Sequence, residues 1–259
     1  MSMRVQRGAR PRLVGARLRG AGAALAGLGA RVVRALDALA LPQRCPSCGA
    51  LAAAERLLCD ACWAAIPPLA VPLCARCLAR GHGGSAGLPP IGCVAHPGHA
   101  VWPGWVYEER AAALVHALKY GARPGLARAL AEPLARAVPA GAHFDLVTAV
   151  PLHRARRRER GYNQAEALAA ALADRVGVPL LADALERARA TRPQARLGPA
   201  ARRANLAGAF RARHPRRIEG RRLLIVDDVL TTGATLEACA DAALAAGAHP
   251  TGVTLAWAS

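Results

Sequence analysis

The sequence predicts an α/β protein: a mainly parallel sheet flanked by helices, preceded by a small cysteine-rich module held by metal. Three observations carry this expectation. Seven of the eight cysteines lie between Cys45 and Cys93, six of them in CxxC pairs, and a segment with so little apolar periodicity needs a metal in place of a core. From about Val101 onward, apolar runs of strand length alternate with stretches of helical periodicity, the pattern of strands joined by crossover helices. Apolar residues make up 53% of the chain but aromatics only 3%. With Ala and Leu supplying most of the apolar side chains, helices on a modest sheet are favoured over an all-β core.

The 259 residues divide by texture into three parts. Residues 1–41 alternate Arg with Ala, Leu, Val and Gly, and read as a basic helix or an unstructured arm. Residues 42–100 are rich in Cys, Pro, Gly and His and form the metal module. Residues 101–259 carry the alternating elements. Glu109–Tyr120 has amphipathic helical spacing, and Pro124–Val138 offers a second helix interrupted by Pro133. Phe144–Val150 reads as a buried strand, Gly161–Val176 as a helix with Asn163 near its start, and Val178–Leu181 as another strand. Leu223–Val226 is a strand that leads through a turn to a helix over Thr235–Ala246, and Val253–Trp257 is the final strand.

A formal net charge of +18 favours anionic partners. The charge is concentrated: residues 151–222 hold 18 Arg and six acids, while Lys119 is the only lysine. Where Arg is used everywhere else, a lone Lys hints at a need for a compact ammonium. No stretch reaches the ~18–20 apolar residues that span a bilayer, and residues 21–30 make a poor signal peptide. Together with the CxxC spacing, this points to a reduced, cytoplasmic setting.

Residues 223–235, LLIVDDVLTTGAT, are the most informative segment. An apolar strand leads to adjacent carboxylates, Asp227 and Asp228, followed by a small-residue turn and a helix. Ligands of open parallel sheets gather at the carboxyl ends of strands, and a helix N-terminus there favours a phosphate. Thr231, Thr232 and Thr235 add hydroxyl donors, and Gly233 permits close backbone approach. Two carboxylates would be unfavourable beside a bare phosphate. They make sense if they reach past it to the 2′- and 3′-hydroxyls of a ribose. Neither GxxxxGK[ST] nor GxGxxG occurs, which argues against a nucleoside triphosphatase or a dinucleotide enzyme.

Strand, Asp-Asp and TTGAT together resemble the phosphoribosyl pyrophosphate (PRPP) motif of type I phosphoribosyltransferases. That resemblance implies Asp227 and Asp228 on the ribose hydroxyls and Thr231, Thr232, Gly233, Ala234 and Thr235 around the 5′-phosphate. The loop after the 144–150 strand contacts pyrophosphate in that family, which makes His153 and Arg154 candidates. Residues 156–164, RRRERGYNQ, are similar to a signature of the ComF family, some of whose members are linked to DNA uptake in competent bacteria. Thr191, Gln194, Arg203, Asn205 and Phe210 follow the same family pattern, and in related transferases this stretch is a hood that closes over PRPP. The helix end that contains Lys119 also matches and adds it to the PRPP-binding set. The resemblance covers about residues 42–259.

Cys45-x2-Cys48 and Cys59-x2-Cys62 are separated by ten residues, enough for two knuckles on one tetrahedral zinc. Cys74, Cys77, Cys93 and His96 offer a second set, with His82 and His99 as alternative ligands. His96 departs from the all-cysteine double zinc ribbon typical of the family. Spacing leaves open whether ligands pair sequentially or interleave. A closed set of four ligands keeps no free position, so the zinc reads as structural rather than catalytic. Cys239 is most simply a small core residue.

Two functions follow from the resemblance and the charge. The first is transfer of a phosphoribosyl group from PRPP, with magnesium on the pyrophosphate. Asp227, Asp228 and Arg154 would form the catalytic set, and the acceptor is unidentified. The second is a non-catalytic accessory factor that keeps the PRPP-binding fold and handles single-stranded DNA beside protein partners of the uptake machinery.

Overall fold

A computed structural model describes residues 44–53, 56–69, 71–81, 93–120, 125–152, 157–158, 161–189 and 199–258; the basic arm, residues 1–41, lies outside them. From Arg44 onward the described residues pack as one unit, the cysteine-rich segment included.

Five strands make the main sheet: β1 (Leu73–Cys74), β2 (Ala100–Val106), β3 (Leu146–Ala149), β6 (Arg222–Leu230) and β7 (His249–Trp257). Their order is β1-β2-β7-β6-β3. The pairs β2–β7, β7–β6 and β6–β3 are parallel, and only the two-residue β1 is antiparallel. β6 is an interior strand, between β7 and β3, and Leu223 through Val226 are all buried, as a strand covered on both faces requires. The helices are α1 (Asp60–Ala64), α2 (Ala75–Ala79), α3 (Glu109–Tyr120), α4 (Leu126–Ala137), α5 (Gln164–Val176), α6 (Pro199–Leu206), α7 (Pro215–Ile218) and α8 (Ala234–Ala245). A separate two-stranded antiparallel sheet pairs β4 (Leu185–Arg187) with β5 (Phe210–Ala212).

Apolar spacing explains how the long helices pack. Leu126, Leu130 and Leu134 recur every fourth residue on α4, as Leu168 and Leu172 do on α5, and all are buried. Each such leucine contributes about 1.5–3 kcal/mol by leaving water. Pro133 stays inside α4, so the expected interruption is absorbed by the helix. The carbonyl of Pro133 lies over β2, where a Cβ on Gly104 would come within 3.3 Å of it and 3.2 Å of the Leu255 carbonyl. Strand β2 itself was hidden in the sequence, because Pro103 and Gly104 break its apolar alternation.

Val178–Leu181 does not form a full strand. It joins the sheet through one parallel bridge, Leu180 to Val147, with Val147 N–H donating to Pro179 O at 2.9 Å and Leu181 N–H donating to Val147 O at 2.8 Å. The leg from β3 through α5 therefore moves outward past the sheet edge, whereas β6–α8–β7 moves inward. Right-handed crossovers in opposite directions put α5 and α8 on opposite faces. The boundary between β3 and β6 is thus the place where consecutive loops part to opposite faces, the crevice in which open parallel sheets bind ligands.

Candidate functional site

Both acids stand in that crevice. β3 pairs with β6 only from Leu146–Leu223 to Ala149–Val226, whereas β6 continues to Leu230 against β7. Asp227 and Asp228 therefore lie one step past the end of β3, still within a strand rather than at its end as the sequence suggested. Asp228 is 5% exposed and its Oδ2 is held from two sides: Lys119 Nζ at 3.2 Å and Gln164 Nε2 at 2.9 Å. Asp227 is half-buried, and its Oδ1 accepts the Asp228 N–H at 2.9 Å. Burial, with the charge of Asp228 beside it, pushes the Asp227 carboxyl up to about 7, against the pull of the Asp228 N–H and Lys119.

Lys119, the lone lysine, closes α3 and so reaches the acid pair from outside the sheet. Asn163 stands at the start of the helix as expected, whereas its link to β3 and the role of Gln164 are visible only in the structure. Asn163 caps α5: its Oδ1 accepts Ala165 N–H at 3.1 Å, and its Nδ2 donates to Val150 O at 3.1 Å. Adjacent residues thus tether the helix start to the end of β3 and, through Gln164, to Asp228 of β6. The available signal was an N-capping Asn beside Gln at a strand–loop–helix junction. Gln164 is buried, and its Oε1 has no hydrogen-bond partner among the described residues.

After β6 comes the turn Thr231-Thr232-Gly233 and then Ala234, the first residue of α8, with Thr235 following. Gly233 is the N-cap with φ +75° and supplies no side-chain acceptor, leaving the first-turn N–H groups of α8 without a side-chain cap. A Cβ there would run into the Ala75 carbonyl oxygen and lie 3.1 Å from Ala75 Cα. Glycine is thus required both by the left-handed conformation and by the close approach of α2. Cys239, on the same helix, is fully buried, which pushes its thiol well above the ordinary value.

His153, Arg154, Thr191 and Gln194 lie outside the described residues. Of the remaining hood candidates, Arg203 turns toward α2, donating from Nη1 to Ala79 O at 3.0 Å, and Asn205 sits in the last turn of α6. The hood sequence also contributes Arg189, whose Nη2 donates to the carbonyls of Asn205 and Ala207 at 3.1 and 2.9 Å.

The cysteines gather sequentially. Cys45, Cys48, Cys59 and Cys62 form one set and Cys74, Cys77, Cys93 and His96 another, with the ligand atoms of each set within 4.8 Å of one another. Four ligands at Zn–S distances of about 2.3 Å sit roughly 3.8 Å apart at tetrahedral corners. Cys48–Cys59 at 3.5 Å and Cys77–Cys93 at 3.7 Å fit that spacing, as do the distances from His96 Nδ1 to Cys74, Cys77 and Cys93 of 3.6, 3.3 and 3.4 Å. His99 is instead engaged by Asp241 at 3.0 Å. Both donor sets therefore suit structural zinc.

Comparison with known proteins gives the same two parts. Residues 35–86 match the double zinc ribbon domain family and residues 162–256 the phosphoribosyl transferase domain family. A protein from Salmonella typhi named DNA utilization protein YhgH is 34% identical over 205 residues, covering 74% of this chain and 86% of that protein. Competence protein F of Haemophilus influenzae is 39% identical over 93 residues, 36% of this chain and 41% of that one. The chain belongs to the ComF family. Its fold is the phosphoribosyltransferase-type α/β fold with an N-terminal double zinc ribbon. Among solved structures, the glutamine PRPP amidotransferase of B. subtilis complexed with ADP and GMP gives a TM-score of 0.37 at 21% identity, over 54% of this chain and 30% of that one. Among the described residues, no helix is long and apolar enough to cross a membrane.

Proposed function

We propose that this ComF family protein binds PRPP with magnesium in the crevice between β3 and β6 and transfers its phosphoribosyl group to an acceptor. The observation that carries this reading is the juxtaposition of Asp227 and Asp228 with the glycine-turned start of α8 where consecutive crossovers part. Residues 231–235 would hold the 5′-phosphate through backbone N–H groups and threonine hydroxyls. The two carboxylates would accept hydrogen bonds from the 2′- and 3′-hydroxyls, Asp228 already oriented by Lys119 and Gln164. His153 and Arg154 would bind the pyrophosphate, and magnesium would neutralise part of its charge.

In the transfer, the bond from the anomeric carbon to pyrophosphate breaks as the acceptor's lone pair forms a new one, and the acceptor then loses a proton. Pyrophosphate leaves with the electron pair. The protein's contribution would be alignment of the ribose and stabilisation of departing negative charge, and residues 187–210 would serve as the hood that excludes water. Calorimetric titration of PRPP and magnesium into the zinc-loaded protein tests this. Micromolar binding lost in Asp227→Asn/Asp228→Asn supports it, and no binding by the wild type overturns it.

A second reading has its own observation. Arg211, Arg213, Arg216, Arg217, Arg221 and Arg222 are all exposed and lead into the N-terminal end of β6, the sheet end opposite the acids. Arg211 and Arg213 are paired with Glu186 and Asp183; the other exposed arginines of this stretch suit nucleic-acid phosphates, and the relatives' names refer to DNA utilization and competence. In this reading the protein handles single-stranded DNA in the cytoplasm beside other uptake proteins. Steep salt-dependent DNA binding that survives Asp227→Asn/Asp228→Asn, without PRPP turnover, would favour it.

A further inference from the structure

The two metal clusters are attached to the rest of the protein in different ways. The first set reaches the sheet through Trp63, whose ring meets that of Trp105 edge-on at 5.7 Å, and through the Pro68–Trp105 bridge. Cys62 also lies against Arg110 at the start of α3, the end of that helix remote from Lys119, and no hydrogen bond or ion pair joins this set to the acid pair or to the turn after β6 among the described residues. The second set is built into the ligand end of the molecule. Cys74 belongs to β1, paired with Ala100 of β2, and is also the N-cap of α2, its Sγ accepting Cys77 N–H.

Helix α2 is only five residues long, too short to persist by itself. Its first residue, Ala75, presents the carbonyl against which Gly233 turns. Its middle is tied to α8: Arg76 pairs with Glu237 at 3.4 Å and with Asp241, and Arg80, just after the helix, lies 3.8 Å from Glu237. Glu237 stands in the first turn of α8 and its side chain is 8% exposed, so these arginines compensate a largely buried carboxylate. His99, three residues after His96, engages the same Oδ1 of Asp241 at 3.0 Å. At the far end of α2, Ala79 O receives Arg203 from α6.

We infer that the Cys74–Cys77–Cys93–His96 cluster is a positioning element of the 231–235 turn: it fixes α2 as the floor on which Gly233 and the first turn of α8 are set, and α2 in turn anchors α6. The Cys45–Cys48–Cys59–Cys62 cluster has no such role. The inference rests on the reading of residues 231–235 as the phosphate-binding turn, but the coupling itself can be measured without any ligand. Zinc bound to the second set would hold Cys74 and Cys77 on α2 to Cys93 and His96.

The test uses the full chain, zinc-loaded, in four forms: wild type, Arg76→Ala/Arg80→Ala, His96→Ala and Cys48→Ser. Hydrogen exchange is followed at residues 237–240, the first hydrogen-bonded amides of α8 beginning with Glu237 N–H on Gly233 O, with residues 146–149 and 168–172 as internal reference, beside calorimetric titration with ribose 5-phosphate. Arg76→Ala/Arg80→Ala leaves every metal ligand in place and removes the partners of a buried carboxylate. It should speed exchange at 237–240 about tenfold and weaken ribose 5-phosphate by a similar factor, with the reference residues unchanged. His96→Ala should do the same while losing one zinc. Cys48→Ser should lose the other zinc and alter neither reading.

Unchanged exchange at 237–240 in the arginine variant, or an equal rise in Cys48→Ser, would overturn the inference. Should His96→Ala unfold, its reference residues will exchange too, and the arginine variant then decides. Failure of the wild type to bind ribose 5-phosphate would remove the phosphate reading, while the exchange comparison still decides the coupling.

Discussion

Replacing Asp227 by Asn should make the protein more stable at pH 8 and leave it nearly unchanged at pH 4. Burial and the neighbouring Asp228 charge raise the Asp227 carboxyl from 3.8 to about 7. Between those values the folded protein keeps a proton that the unfolded chain releases. Raising the pH therefore costs stability, beginning above 3.8 and complete above about 7, with no contribution below 3.8. At 1.36 kcal/mol for each pH unit, the full span would amount to about 4 kcal/mol, and the partial solvent access of Asp227 cuts this to about 2 kcal/mol. Asn removes the titration yet keeps an Oδ1 to accept the Asp228 N–H. Urea unfolding of both proteins at half-unit intervals from pH 4 to 8.5 gives the difference, because groups remote from Asp227 titrate in common. A difference that is flat across this range would refute the raised carboxyl, and one that grows toward low pH would reverse its sign. In the wild type, ribose 5-phosphate should bind more tightly as pH rises through 7, since an ionised carboxylate is the better acceptor for a ribose hydroxyl.

Other perturbations read other parts of the molecule. Gln164→Leu removes one of the two groups holding Asp228 and should weaken PRPP about tenfold by calorimetry, the worth of a hydrogen bond to a charged group, with little change in the unfolding midpoint. Gly233→Ala must accommodate a positive φ and the Ala75 carbonyl together, so a loss of at least about 2 kcal/mol in urea unfolding is expected. Leu168→Ala opens a cavity under α5 and should cost about 2–5 kcal/mol. Stripping zinc with a chelator should release close to two equivalents, measured by a metallochromic dye, and lower the melting temperature, since neither cysteine cluster has a core of its own to replace the metal.

The sequence by itself determined the local facts. CxxC spacing specified tetrahedral donor pairs, because thiolates three residues apart can share one metal whatever surrounds them. The adjacent aspartates, the threonine-glycine turn and the helix behind it announced a strand leading through a tight turn into an uncapped helix start, since those properties reside in the backbone of one short segment. Helix α3 was legible to the residue from its periodicity, and the parallel character of the sheet from the alternation of elements. Only the tertiary structure decided what depends on residues distant in the chain. Strand β2, disguised by Pro103 and Gly104, is recognisable by its pairing with β7, 151 positions later. Val178–Leu181 looked like a strand and is reduced to one bridge at an edge. Lys119, Gln164 and Asp228 converge from three elements, and which cysteines gather into one donor set is decided by where the chain places them. Most of all, no pattern within residues 74–80 or 231–237 says that one is the floor of the other. That contact is made by a carbonyl against a missing Cβ and by arginines meeting carboxylates more than 150 residues away, and a sequence records neither until it is folded.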